Sequence, residues 1–163
     1  MGSASKAKNK RPLLCLFAFV LAGLVAGIDQ WVKWIIVENV KPIKSINVIP
    51  HIFSLFYLEN RGAAFSILEN KQLFLILFTS LLCVVIIGMI LFYKSQNAWS
   101  WVACVLVLGG GIGNLIDRIR LGYVVDYLKF SFFPPVFNFA DICVVTGVIL
   151  FIIHVLLGEY AHK

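Results

Sequence analysis

Charge is scarce in this chain. Of its 163 residues only 13% are Asp, Glu, Lys or Arg, while 61% are hydrophobic. A soluble domain carries about 45–50% apolar residues. One small core in water cannot hide so much apolar surface, and a bilayer is the fitting solvent. Cysteine is sparse too. Cys15, Cys83, Cys104 and Cys143 each lie in an apolar run and form no CxxC. That argues against disulfides and thiolate metal sites and for small buried apolar residues. The histidines His51, His154 and His162 are scattered and no HExxH occurs, so an intramembrane zinc protease has no support.

What charge there is sums to +6, but its distribution is not that of a nucleic-acid binder. Lys6, Lys8, Lys10 and Arg11 gather ahead of the first apolar run, where an anionic lipid surface is the natural partner. The length allows one domain, 1–163, in which residues 1–11 read as a flexible basic tail. No internal repeat or low-complexity tract is present.

Four apolar runs are long enough, or nearly so, to cross about 30 Å of hydrocarbon, which takes roughly 20 helical residues. They are Leu13–Ile28 (continuing helically through WVKWIIV), Leu73–Tyr93, Ala98–Ile116 and Ile142–Gly158. A signal peptide is the competing reading of the first run. Three further spans follow it and no small-x-small cleavage site leads into a soluble domain, so it reads as a retained helix. Four spans place both termini on one side, and the basic cluster favours the cytoplasm for that side. Lys41, Lys44, Arg61, Arg118, Arg120 and Lys129 then face outward, against the rule. The KSQN loop lies inside. The segments 38–71 and 117–141 share the outer face. Within the first of these, IKSINVIPHIFSLFYLEN mixes β-branched and aromatic residues with Asn, Pro and Ser, and predicts short strands at the membrane surface.

An ionisable group at membrane depth costs about 2.5–3.5 kcal/mol at a helix centre, so the few present are informative. Asp29 and Lys33 are an i,i+4 pair at the outer end of span one. They read either as site residues or as a pair snorkelling to the interface. Asn60 and Arg61 precede span two. Asn114, Asp117 and Arg118 close span three in GGGIGNLIDR. There Asp117–Arg118 reads as a neutralised structural pair, and the glycines read as close helix packing rather than a phosphate cradle. Asn138 reads as the N-cap of span four, with Asp141 at N3. All these groups fall at one depth on one side.

Asp126, in VVDY, and Asp141, in FNFAD, resist such structural explanations best. Pro134 and Pro135 break the chain between them and predict a fold-back that brings the acids together. Two carboxylates sharing a low-dielectric site retain one proton. Such a pair can activate water and polarise a carbonyl, which is aspartic peptidase chemistry. A serine intramembrane protease needs a GxSx serine with a partner histidine, yet the only histidine in a span, His154, lies near the opposite end. No GxGD motif occurs either. A proton-coupled carrier or a helix-packing scaffold are the non-enzymatic alternatives. The carrier requires acids near mid-membrane on discontinuous helices.

Five segments, DQWVK (29–33), NRGAAFS (60–66), GGGIGNLIDR (109–118), VVDY (124–127) and FNFAD (137–141), occur in the order seen in the lipoprotein signal peptidase (signal peptidase II) family. The chain resembles that family over about Leu13–Leu157. The resemblance implies a membrane all-α fold: a four-transmembrane-helix bundle with a small periplasmic β-sheet and a short surface helix. It implies a multi-pass peptidase of the bacterial inner (cytoplasmic) membrane, with termini cytoplasmic and the site on the periplasmic side. The enzyme would remove the signal peptide from diacylglyceryl-modified prolipoproteins, cleaving just before the lipidated cysteine, with Asp126 and Asp141 as catalytic dyad. Asp29, Lys33, Asn60, Gly62, Asn114, Arg118 and Asn138 are the implied substrate- or inhibitor-binding residues, the inhibitor being the peptide antibiotic globomycin. No metal, cofactor or nucleic acid is implied; membrane lipids are the other partner. On that reading Gly109, Gly110, Gly111 and Gly113 let the signal-peptide helix approach closely, and Arg118 either pairs with Asp117 or supports a loop carbonyl.

Overall fold

The structure, a computed structural model, describes residues 3–62, 71–92 and 97–160, with side chains for 11–62, 71–92 and 97–156. Four helices carry the bundle: α1 (Ser3–Asn39), α2 (Gln72–Phe92), α3 (Ala98–Leu121) and α4 (Phe139–Tyr160). All four are long and apolar enough to cross a membrane. At about 1.5 Å per residue, the 21 residues of α2 reach roughly 30 Å. The backbone is already helical at Ser3, so most of the basic segment read as a tail is helical. The KSQN loop lies outside the described residues except for Asn97. That residue caps α3 through a capping box with Ser100.

Strands β1 (Ser45–Ile49), β2 (Phe53–Asn60), β3 (Val124–Phe130) and β4 (Phe133–Phe137) form one antiparallel sheet in chain order. The expected strands in the 43–60 segment are therefore present. The acids are brought together differently from the expectation. The chain reverses at Ser131–Phe132 between β3 and β4, and Pro134 and Pro135 lie inside β4. This is an edge strand, where a residue without an N–H breaks no central ladder. No short surface helix occurs among the described residues.

Helix α3 is the hub, packed against α1, α2, α4 and β3. Its glycines make this possible. A Cβ on Gly109 would lie 2.6 Å from Val25 Cβ of α1, one on Gly110 2.5 Å from the Ala140 carbonyl of α4, and one on Gly111 3.2 Å from Cys83 Sγ of α2. Close packing by this glycine run is thus confirmed, but the partners are the protein's own helices. Those faces are filled, and they do not stand open to a signal-peptide helix. The helix runs past the expected end at Ile116 to Leu121 and stops at Gly122, whose left-handed backbone (φ 77°) suits a residue without Cβ. The chain then enters β3.

Helix α1 buries one stripe, Ala18, Ala22, Ala26, Asp29, Lys33 and Ile36, which Val40 continues just past its end. Spacings of three and four residues keep them on one face. Leu13, Leu16, Val20, Leu24, Trp31 and Trp34 point outward. At one end of the stripe, Ala18 and Ala22 pack with Ile90, Cys104, Val105 and Leu108. At the other, Ile36 and Val40 pack with Tyr57, Val125 and Tyr127 of the sheet. The polar pair sits between these two apolar clusters.

Candidate active site

Five elements deliver polar side chains to one buried place: Asp29, Gln30 and Lys33 from α1, Asn60 from the end of β2, Asn114, Asp117 and Arg118 from α3, Asp126 from β3, and Asn138 with Asp141 from the start of α4. Asp29, Lys33, Asp117, Asp126 and Asn138 are each at most 3% exposed.

The Lys33 ammonium is fully engaged. It lies 2.7 Å from Asp29 Oδ2, 2.9 Å from Asp117 Oδ2 and 2.9 Å from Asn114 Oδ1. A protonated lysine has three N–H donors and no acceptor, so none is left over. The snorkelling reading of Asp29–Lys33 is overturned: the pair points into the protein. The Asp117–Arg118 pair is overturned as well. Asp117 meets Lys33, receives Gln30 Nε2 at 2.7 Å and accepts the Val125 backbone N–H at 3.1 Å. Arg118 instead donates to the Gly62 carbonyl at 3.3 Å, which decides for the loop carbonyl. Its Nε makes no hydrogen bond among the described residues.

The first turn of α4 leaves backbone N–H groups without helical partners, and three elements satisfy them. Phe139 N–H donates to Tyr127 Oη at 3.2 Å, Ala140 N–H to Asp29 Oδ1 at 3.0 Å, and Asp141 N–H to Asn138 Oδ1 at 2.9 Å. In return Asn138 N–H donates to Asp141 Oδ2 at 3.1 Å. Asn138 is therefore the N-cap and Asp141 the N3 residue, as expected, in a reciprocal box.

Asp126 is aimed by the sheet. Its register places it opposite Leu58 and places Asn60 opposite Val124, so Asn60 is its diagonal neighbour on the same face. A bulge in β2 between Leu55 and Leu58 lies beside it; such bulges re-aim side chains. Asn60 Nδ2 donates to Asp126 Oδ2 at 2.8 Å, and Asn138 Nδ2 to Asp126 Oδ1 at 2.7 Å. Asn114 Nδ2 donates to Asp141 Oδ1 at 2.7 Å. Each amide has its carbonyl occupied by a donor: Gly62 N–H at Asn60, Lys33 at Asn114, Asp141 N–H at Asn138. Each NH₂ is thereby turned toward a carboxylate. Burial, and next the charge of Asp141, raise Asp126 to about 7. A carboxyl in that state still holds a proton near neutral pH while its neighbour can act as base.

All nine residues expected from the sequence thus converge, Gly62 through its backbone N–H and carbonyl. Ala63–Ser66 of the NRGAAFS motif lie outside the described residues. Two contributors were missed. Gln30 follows Asp29 directly, and adjacent residues do not share a helix face. Tyr127 reads in sequence only as part of the apolar VVDY run.

Comparisons with known proteins bear on the family and the fold. A family model described as signal peptidase (SPase) II matches residues 20–157. The lipoprotein signal peptidase of Caldanaerobacter subterraneus is 46% identical over 137 residues, covering 82% of this chain and 91% of its own. That of Enterococcus faecalis is 42% identical over 151 residues, covering 92% and 94%. Among solved structures, a bacterial membrane enzyme determined in meso at 2.3 Å resolution superposes with a TM-score of 0.83 at 33% identity, covering 90% of this chain and 92% of that one. The chain is a multi-pass membrane protein and belongs to the lipoprotein signal peptidase (signal peptidase II) family.

Proposed function

We propose that this protein is an aspartic endopeptidase that removes the signal peptide from diacylglyceryl-modified prolipoproteins, cleaving just before the lipidated cysteine, with Asp126 and Asp141 as the catalytic dyad. The observation that carries this reading is the bridging by Asn138, whose side-chain amide holds Asp126 and whose backbone holds Asp141. Asp126 carries the dyad's proton and donates it toward the scissile carbonyl oxygen. Asp141 takes a proton from water as the water oxygen attacks the carbonyl carbon. Collapse of the tetrahedral species breaks the C–N bond, and a dyad proton passes to the departing cysteine amine. The lipid fixes the scissile bond at interfacial depth, so that the encounter is effectively intramolecular.

Asn60, Gly62, Asn114 and Arg118 form the wall against which the peptide, or globomycin in its place, is held, while Asn138, fully buried, sets Asp126. The protein sits in the bacterial cytoplasmic (inner) membrane with its termini cytoplasmic and the sheet and dyad on the periplasmic side, as the basic residues at the N-terminal end of α1 favour. The test is cleavage of a lipidated precursor by Asp126→Asn and Asp141→Asn. Each is expected to abolish turnover while inserting and purifying like wild type. Near wild-type cleavage by either one overturns the assignment.

A further inference from the structure

We propose that Lys33 is a positioning residue for the dyad, acting through the side-chain amide of Asn114. The inference rests on the dyad reading above. The two ends of an asparagine amide are nearly equal in shape, so only its partners decide which way it points. Asn114 Oδ1 accepts from Lys33 Nζ at 2.9 Å and from Asn138 Nδ2 at 3.1 Å. Its Nδ2 then faces Asp141 Oδ1 at 2.7 Å. A flipped Asn114 would set N–H groups against an ammonium and a second amide, and an oxygen against a carboxylate. The ammonium makes that flip expensive, because a charged donor strengthens the bond it makes and has no acceptor to offer. It cannot turn aside either. Asp29 and Asp117 occupy its other two protons, and the side chain is 4% exposed.

Lys33 thereby sets one amide directly and a second indirectly. With Asn114 Oδ1 held in place, Asn138 Nδ2 is shared between that oxygen and Asp126 Oδ1. One ammonium on α1, touching neither aspartate of the dyad by hydrogen bond, points donors at both. A residue with all its protons engaged inside the protein is not a substrate-binding group, which is the place the family resemblance suggested for it.

A purely structural role, neutralising Asp29 and Asp117, makes different predictions. Cleavage of a lipidated precursor peptide is measured for Lys33→Met, Asn114→Ala and the double variant, with thermal unfolding in detergent as the folding control. Lys33→Met is expected to lower kcat about 100-fold, the scale of an active-site group displaced by about 1 Å, and to change KM less than about threefold, since the lysine meets no substrate. In the Asn114→Ala background the same substitution is expected to cost less than about threefold, because its hydrogen-bonded route to the dyad is already cut. Lys33→Gln keeps N–H donors without charge and is expected to recover at least about tenfold over Lys33→Met.

Equal losses in both backgrounds, or a Lys33→Gln variant no better than Lys33→Met, overturn the assignment. If Asn114→Ala leaves no measurable rate, the Gln comparison decides. If Lys33→Met does not fold, the comparison is made with Asp117→Asn added to each variant, which restores the net charge. Asp126→Asn and Asp141→Asn are assayed alongside. If either cleaves normally, the dyad reading fails. If both are inactive and the cycle is additive, only the role of Lys33 fails.

Discussion

A side-chain carbon on Gly113 would lie 2.5 Å from Asp29 Oδ2. The close approach of α3 to α1 at this point is what lets Lys33, one turn beyond Asp29, reach Asn114 and Asp117. Gly113→Ala is expected to push the Asp29 carboxylate from its place between Lys33 and the Ala140 N–H. Overpacking of this kind costs about 1–3 kcal/mol, read as a lower unfolding midpoint in detergent, with a matching loss of cleavage. An alanine variant with unchanged midpoint and rate would show that the contact is soft.

In the proposed mechanism, the proton on Asp126 gives the reaction a pH signature. Burial and the neighbouring charge of Asp141 raise this carboxyl to about 7. The proton is present below that value and lost above it. The rate is expected to fall about tenfold per pH unit on the alkaline side. The Asn60 N–H favours the ionised form, so Asn60→Leu is expected to move this limb to higher pH. The measurement is kcat/KM from about pH 5 to about pH 9, and a flat profile through neutrality overturns the role given to Asp126.

Asn138 has two separable jobs. As N-cap it starts α4, and as an amide it bridges to Asp126. Serine is as good a cap as asparagine but has no amide to reach across. Asn138→Ser is therefore expected to change stability by less than about 1 kcal/mol and to lower kcat about 100-fold. Equal losses of stability and rate would mean that capping is its whole contribution.

The dyad mechanism needs no metal. Cleavage with and without a chelator is expected to proceed at equal rates, and loss of activity restored by a divalent ion would point to different chemistry.

Much of this arrangement was legible in the sequence because bilayer physics makes polar residues conspicuous. Four apolar runs marked the spans, and the mix of β-branched and aromatic residues before Asn60 marked β1 and β2. Asn138 three residues before Asp141 marked a cap. What was not legible was direction. Asp29 and Lys33 face inward or outward according to which side of α1 packs on α3, and one helix viewed alone does not say. The glycines of α3 announced close approach but not to what. Pro134 and Pro135 were expected to make the reversal, whereas an edge strand accommodates both and the turn falls at Ser131–Phe132. Gln30 and Tyr127 were invisible because their partners, Asp117 and the Phe139 N–H, are distant in sequence.

The first turn of α4 donates three backbone protons to side chains of β3, α1 and its own cap. Starting this helix and assembling the site are consequently one event. A state in which α4 has frayed at Phe139–Asp141 has also released Asp141 and parted Asp29 from α4. Local opening here is cooperative across three elements. The amides of Phe139, Ala140 and Asp141 should exchange with deuterium together and slow together when an inhibitor binds, so that these three protons report on the integrity of the whole centre.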